Sequence, residues 1–560
     1  MPFSPNFLIL LVLAKFTLSD AIDWVNTEYV CNQAKIRQSS STKQAQDAVF
    51  ENARSSAAEG PWSVQNGKGV LPPSGNPHDY LSWAPYHWAN CNWCPGKGRR
   101  DSLIPNANDS TTGANETLRR SPVRGMSRRR RRSVNILVSQ PQTFVAVPDS
   151  QAPLNTSPPA ATTAGPREAA AKSKPGPAAC TPSPTKPLPP SATWTTCPYV
   201  AQDGKVNPDV RTLQGPSAIN SASEAISYNA LSYGLQPQTS AYSQNAVHFI
   251  SSFFLDPSTR MNPNMNFGQV VRGPGESGQR GTFTGVLDMR GIVQIANGIA
   301  ILKAAGSPDW TSAREQELRS WMLEYLNWLK TSDLGKSVAE KANNHATFYF
   351  VQVAAIQFLL GNKEEAAAAL KQYFNGPFLN QIAKSGEQPF EAIRTRPYHY
   401  RCFNLEAMIT GAKLGDELEL DFWSAKSRYG TTIQDAAKYL MRLEPKGEDI
   451  SESFPHVAAV AAAYGDPHGS YSSFLRKDPN YQKSPFYFYD QPKAYTKAQT
   501  TRKRVVTRDS DAYDGIPFIC TPDYQLPDGA KAYQLDNGIY AKCSELARFY
   551  AVPELEDSVE

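Results

Sequence analysis

No apolar run in this chain approaches the ~20 residues that a membrane-spanning helix needs. The first, Phe7-Leu-Ile-Leu-Leu-Val12, is followed by Lys15 and the small-residue site Ser19-Asp-Ala21, the form of a secretory signal cut near Ala21. An N-terminal anchor helix is the alternative. Histidine is scarce, seven in 560 residues, and no His-x-x-x-His or carboxylate-rich loop accompanies it, so no metal or other cofactor is expected. The one Cys-x-x-Cys, Cys91-Asn-Trp-Cys94, has neither a second half-site nor a βαβ pattern beside it. It reads as a structural disulfide position rather than a redox or zinc motif. Strand-type alternation is also scarce before the aromatic stretch Tyr481–Tyr489.

What is present is enough apolar surface for a large core, 40% of residues. Eight cysteines and several N-glycosylation sequons fit an exported chain, because disulfides persist outside the cytosol. Cys520 and Cys543 form a plausible C-terminal pair, while Cys91, Cys94 and Cys197 flank an insert of different composition. Residues 95–190 are rich in Pro, Ser, Thr and Ala, lack periodicity and carry Arg128–Arg132, so they are expected to be disordered. The basic charge sits here. Between Lys97 and Lys186 there are fifteen Lys or Arg against five Asp or Glu, so a net +5 for the whole chain leaves the remainder at −5. A nucleic-acid-binding surface is not supported, since it would lie on folded elements.

Beyond the insert, helices dominate. Residues 217–231, 240–255, 285–305, 311–331, 347–360, 363–374, 404–414, 432–443 and 453–464 carry apolar residues at spacings of three and four. Gly361-Asn362 ends one, and Gly411 and Gly415 read as the end of another. Helices of similar length joined by loops with polar motifs predict an all-α toroid of helical hairpins. Its parts are a signal (1–21), an N-terminal portion (22–94), the insert (95–190), the main helical portion (191–475) and a small irregular C-terminal extension (476–560). Upstream, His78-Asp-Tyr-Leu-Ser-Trp-Ala-Pro-Tyr-His-Trp88 has six aromatic or His residues in eleven. It is expected as a loop whose rings face sugars, or else as a packed core loop.

Chemistry concentrates at two places, Lys341-Ala-Asn-Asn-His345 at a helix start and Glu391-Ala-Ile-Arg-Thr-Arg-Pro-Tyr-His-Tyr-Arg401. Eliminative cleavage of a uronate polymer needs donors to neutralise the carboxylate, a base for the C5 proton and an acid for the leaving oxygen. Asn343, Asn344 and Arg394 can donate, and His345 and Tyr400 are the candidate base and acid. Arg394, Arg396 and Arg401 are expected to lower the Tyr400 phenol. Each residue also has a plainer reading: an N-cap pair for Asn343-Asn344, a satisfied polar His345, a solvated Arg394–Arg396 pair, a core ring for Tyr398 or Tyr400.

At these residues the chain resembles the all-helical alginate lyase family of polysaccharide lyases, which includes alginate and glucuronan lyases. The resemblance rests on His78-Asp-Tyr with Ala84-Pro-Tyr-His-Trp88; Pro198-Tyr-Val with Asp203-Gly-Lys-Val-Asn-Pro208; Phe254-Leu-Asp-Pro-Ser-Thr-Arg-Met-Asn-Pro263; Asn343-Asn-His345; and Arg394-Thr-Arg-Pro-Tyr-His-Tyr400. It implies an incomplete (α/α) toroid and metal-independent β-elimination. Asn344, with Asn343 beside it, and Arg394 would neutralise the carboxylate, Tyr400 would act as acid or as both acid and base, and His345 as base or helper. Tyr86, Trp88, Asn262, Asn266 and Gln269 become groove candidates by position, with Arg396 and Tyr398 as further substrate contacts. The expected product is a secreted monomer acting on an anionic polysaccharide, alginate or glucuronan. The rivals are a glycoside hydrolase, which needs paired carboxylates such as Asp288, Glu387, Glu391 or Glu406 could offer, and a non-catalytic carbohydrate-binding protein.

Overall fold

A helix that is apolar on every side is stable only when other elements wrap it, and the fold is built around one of this kind. The computed structural model describes residues 23–35, 41–65, 70–90, 198–495, 503–504 and 517–551. The expected signal, the insert with Arg128–Arg132, and Cys91, Cys94 and Cys197 lie outside these residues.

The helices before the site are α1 (Thr27–Gln33), α2 (Lys43–Glu59), α3 (Gly215–Leu235), α4 (Ser240–Ile250), α5 (Ile292–Ala304), α6 (Ser312–Thr331) and α7 (Asp333–Ala339). Then come α8 (Asn344–Leu359), α9 (Lys363–Phe374), α10 (Pro389–Ala392), α11 (Pro397–Glu417), α12 (Ile433–Arg442), α13 (Phe454–Tyr464), α14 (Ser470–Leu475), α15 (Pro485–Tyr489) and α16 (Cys543–Tyr550). Short strands decorate them: β1 (Leu81–Trp83), β2 (His87–Ala89), β3 (Tyr199–Ala201), β4 (Phe267–Val270), β5 (Leu420–Asp421), β6 (Lys503–Arg504), β7 (Tyr524–Gln525), β8 (Lys531–Asp536) and β9 (Ile539–Lys542).

The wrapped helix is α8, with fourteen of its sixteen residues buried. A circuit passes through it: α2 packs on α3, α3 on α5, α5 on α8, α8 on α11, α11 on α13, α13 on α15, and α15 returns to α2. Outside it, α4 lies on α3, α9 on α8 and α12 on α11. This is the helical toroid expected from the sequence. Some polar groups inside α8 are paired, as burial favours: the Thr347 hydroxyl donates to Asn404 Oδ1 at 2.8 Å and Gln352 Nε2 to the Val286 carbonyl at 3.2 Å.

Helix α11 starts at Pro397, ahead of the Asn404 that its periodicity suggested. Proline costs nothing at a first helical position, where the N–H has no partner anyway. The next two N–H groups, of Tyr398 and His399, donate to the Glu448 carboxylate at 3.0 and 2.9 Å, a negative charge at a helix N-terminus. Gly411 and Gly415 do not end this helix but lie within it. A Cβ there would sit 3.3 Å from Val351 Cγ2 and 2.5 Å from Phe422 Cδ2, so the glycines let α8 and Phe422 approach. The strand-like Tyr481–Tyr489 stretch is likewise a turn followed by α15, which has Pro485 at its first position.

The aromatic stretch after His78 is neither one loop nor one packed cluster. Tyr80, Leu81 and Trp83 are buried, β1 pairs with β4 and β2 with β3, and Tyr86 is left in the turn between. In the C-terminal region, β7, β8 and β9 form an antiparallel sheet with α16 beside it, and Cys520 and Cys543 are bonded. Tyr533, Leu535, Leu546 and Tyr550 pack with Phe390 of α10 and Tyr429. Each such side chain contributes about 1.5–3 kcal/mol by burial, which fixes this sheet against the body.

The N-terminal segment is pinned by a buried ion cluster. Lys413 of α11 donates to Asp23 at 2.7 Å and to Asp490 at 2.6 Å, and Asn297 exchanges hydrogen bonds with the Val25 backbone. Lys413→Ala strands two carboxylates in the interior. It is expected to cost about 3–5 kcal/mol in urea unfolding, the range for breaking a buried pair from one side.

Candidate active site

A cavity of about 740 Å³ lies where the start of α8, the start of α11 and the turn between β1 and β2 meet. Five of the lyase candidates singled out from sequence line it, Tyr86, Gln269, Asn344, His345 and Tyr400, and so do Asp288 and Glu406 of the hydrolase rival.

The amides and imidazole come from the first turn of α8. Asn343 holds the N-cap position without capping by its side chain. Its Nδ2 donates to the Leu535 carbonyl of β8 at 2.9 Å, and its Oδ1 lies 3.2 Å from His345 Nδ1. Because the NH2 end is spent on Leu535, Oδ1 is the acceptor and His345 Nδ1 carries the hydrogen, which leaves the lone pair on Nε2. Burial, then the nearby charges of Arg394 and Lys341, hold the His345 pKa well below the usual imidazole value. The ring is therefore neutral at pH 7.

Asn344 is fully buried at the cavity wall. Its backbone N–H donates to Glu391 Oε1 at 2.9 Å and its Nδ2 to Oε2 at 2.8 Å, so the α10 carboxylate satisfies the helix end. Burial nevertheless pushes Glu391 up to about 7.

Tyr400 stands near the start of α11, and its hydroxyl accepts from Arg394 Nη2 at 2.7 Å and donates to the Tyr86 hydroxyl at 2.6 Å. Arg394 does not line the cavity. It lies behind the phenol, its guanidinium carbon 3.8 Å from the ring centroid, and is gripped by Asp203 through Nε and Nη2 with a shortest contact of 2.8 Å. Asp536 of β8 stands 3.7 Å from the same nitrogen.

The expected lowering of the phenol is reversed. Burial raises the Tyr400 pKa well above the ordinary phenol value; Arg394 opposes this, while Tyr86 and Asp536 add to the rise. The other two arginines are occupied elsewhere. Arg401 forks onto Glu387 at 2.6 and 2.7 Å, and Arg396 faces Glu448 and Glu452 at 4.0 and 3.8 Å.

The remaining candidates are held away from the cavity wall. Tyr398 is 2% exposed in the main core. Trp88 Nε1 donates to the Lys205 carbonyl, Asn262 Nδ2 to Asp79, and Asn266 Oδ1 accepts from Trp328 Nε1, so these side chains brace loops. Gln269 does reach the cavity. It adopts φ +49°, costly for a non-glycine residue, and its Nε2 donates to Asp288 Oδ1 at 2.7 Å.

Three carboxylates that matter here were given no part in the lyase reading of the sequence. Asp203 stood in the sequence only as part of the Asp203-Gly-Lys-Val-Asn-Pro208 motif; Gly204, with φ +72° and Thr395 Oγ1 2.1 Å from where a Cβ would be, shows why the turn there needs glycine. Glu391 precedes Arg394 by three residues, but nothing local pairs it with Asn344. Asp536 lines the cavity, is raised to about 6 by burial, and comes from the C-terminal sheet, where no motif pointed to it.

Asp203→Ala removes the closest counter-charge of a guanidinium that is 1% exposed. It is expected to cost about 3 kcal/mol in urea unfolding, whereas Asp203→Asn, which keeps one of the two acceptor oxygens, is expected to cost less.

Comparison with known proteins bears on the same residues. The chain is similar over residues 154–448, more than half its length, to the alginate lyase family. It is also similar to the crystal structure of an alginate lyase from Bacteroides ovatus, at 19% identity and TM-score 0.58, covering 84% of this chain and 100% of that one. That likeness speaks for the fold. No sequence among the curated proteins matches. On the extent of the family match, the chain belongs to the alginate lyase family and is a polysaccharide lyase.

Proposed function

We propose that this lyase cleaves a 4-linked polyuronate by metal-independent β-elimination, leaving an unsaturated uronate at the new non-reducing end. The observation that carries the reading is geometric: a phenol held by Arg394 at 2.7 Å and an imidazole fixed by Asn343 line the same cavity. Burial keeps both groups neutral, so Tyr400 has a proton to give and His345 Nε2 a lone pair to receive one.

The division of labour follows from the same geometry. His345 Nε2 takes the C5 proton, the C5 electron pair forms the C4=C5 double bond, and the C4–O4 bond breaks. Tyr400 gives its proton to O4. The phenolate left behind faces the guanidinium of Arg394 at 2.7 Å, which stabilises it. Arg394 thus serves the phenol through Nη2, while its Nη1 is buried without a hydrogen-bond partner. Asn344 is the amide at the wall for the carboxylate, and Gln269 and Tyr86 are sugar contacts.

We further propose that the enzyme is exported and acts as a monomer outside the cytosol. The N-terminal apolar run and the Cys520–Cys543 bond support export. Alginate and glucuronan both satisfy the chemistry.

The test is ultraviolet absorbance in the band of unsaturated uronates, with polymannuronate, polyguluronate and glucuronan supplied separately and a chelator present. A rise on at least one polymer is expected; no rise from folded protein on any of them overturns the reading. Tyr400→Phe is expected to lower kcat by about a thousandfold with little change in KM, the scale of a lost general acid. His345→Ala should lose a similar factor. Because the ordinary imidazole range lies above the His345 pKa and the ordinary phenol range below that of Tyr400, neither group should limit the rate between pH 6 and 9.

A further inference from the structure

We propose that Glu391 sets which end of the Asn344 amide faces the substrate: the NH2 group when the Glu391 carboxyl is protonated, the oxygen when it is ionised. This deepens the elimination reading and rests on it. In the structure both Glu391 oxygens are engaged by Asn344, Oε1 by the backbone N–H at 2.9 Å and Oε2 by Nδ2 at 2.8 Å. The other end of the amide, Oδ1, is buried with no hydrogen-bond partner, on a residue that lines the cavity. A buried acceptor without a donor is uncommon and calls for a cause.

As it stands, that oxygen is the wrong group for its task. A uronate carboxylate brought to the wall would meet an acceptor, and two acceptors repel. A carboxamide's oxygen and NH2 group are nearly equal in size, so a half-turn exchanges them in place. The turned amide would present its NH2 to the substrate and its oxygen to Glu391 Oε2, which must then donate. A protonated Glu391 can do so while Oε1 keeps the backbone N–H.

The surroundings place both forms within reach. The charged and titratable groups around Glu391 are Arg394 beyond its own short helix, Arg401 on α11 and Tyr373 on α9. Arg394 is paired with Asp203, and Arg401 with Glu387. Burial outweighs the two arginines and moves Glu391 up to about 7. An arriving substrate carboxylate adds a like charge, which favours the protonated form further. Substrate binding should then draw a proton from solvent.

Two measurements test this. The first is kcat/KM from pH 6 to 9 for the wild type, Glu391→Gln and Glu391→Ala, with circular dichroism to verify folding. The wild type should fall by about tenfold per pH unit above the Glu391 pKa. Glu391→Gln, whose amide can donate permanently to Asn344 Oδ1, should lose that decline, while Glu391→Ala should be weakened at every pH. A Glu391→Gln profile that follows the wild type, or folded Glu391→Gln protein inactive throughout, overturns the proposal.

The second needs no change at Glu391 in one arm. Calorimetric binding of a uronate oligosaccharide to Tyr400→Phe protein, at pH 7.5 in buffers of different ionisation enthalpy, should register proton uptake. Adding Glu391→Gln should abolish the part that belongs to Glu391. Equal uptake in both proteins sinks the proposal. A wild type that is active on a polyuronate but has no basic decline overturns this inference alone. A wild type that forms no unsaturated product on any polymer overturns the elimination reading and this inference with it.

Discussion

The buried guanidinium of Arg394 is the constraint around which the site is arranged. A cation taken out of water must recover its lost hydration from fixed partners. Here those partners come from three distant parts of the chain: Asp203 after β3, Tyr400 on α11 and Asp536 at the end of β8. Satisfying one charge therefore joins the strand region, the inner helices and the C-terminal sheet. The same arrangement leaves the phenol between a cation on one side and the Tyr86 hydroxyl on the other. Fold and chemistry meet at this point, because the groups that make the arginine tolerable also aim the tyrosine.

Burial then sets the acid–base character of the cavity. It pushes every group toward its neutral form, so tyrosine and carboxylic acids rise and histidine falls. His345, Tyr400, Glu391 and Asp536 all move in the direction that burial dictates. The consequence is a cavity lined by a phenol that holds its proton and by a neutral imidazole with its lone pair on Nε2. Strong local charges were not needed to separate the two. Arg394 works against the rise of Tyr400, and its value lies in receiving the phenolate once the proton has gone.

Local pattern made part of this legible. The helical toroid followed from spacing of apolar residues, and Asn344, His345 and Tyr400 were visible because their chemistry is packed into short motifs at helix starts. What could not be read is set by contacts over long sequence distances. Glu391 meets Asn344 across 47 residues, and Asp536 reaches Arg394 from a sheet that periodicity barely marked. The glycines of α11 misled because their small size serves close packing against Val351 and Phe422, which looks like a stop signal in sequence alone. Trp88, Asn262 and Asn266 sit near the right motifs, but their polar atoms are spent on Lys205, Asp79 and Trp328.

The C-terminal sheet has a consequence in time as well as in space. It supplies the Leu535 carbonyl that orients Asn343, the Asp523 and Gln534 contacts to Lys341, and Asp536 itself. A ribosome makes these residues after every helix of the circuit. The helical body can assemble around α8 while they are still being synthesised, yet the wall that faces the substrate is incomplete until they arrive. Order of synthesis thus places the residues that complete the wall after those of the scaffold.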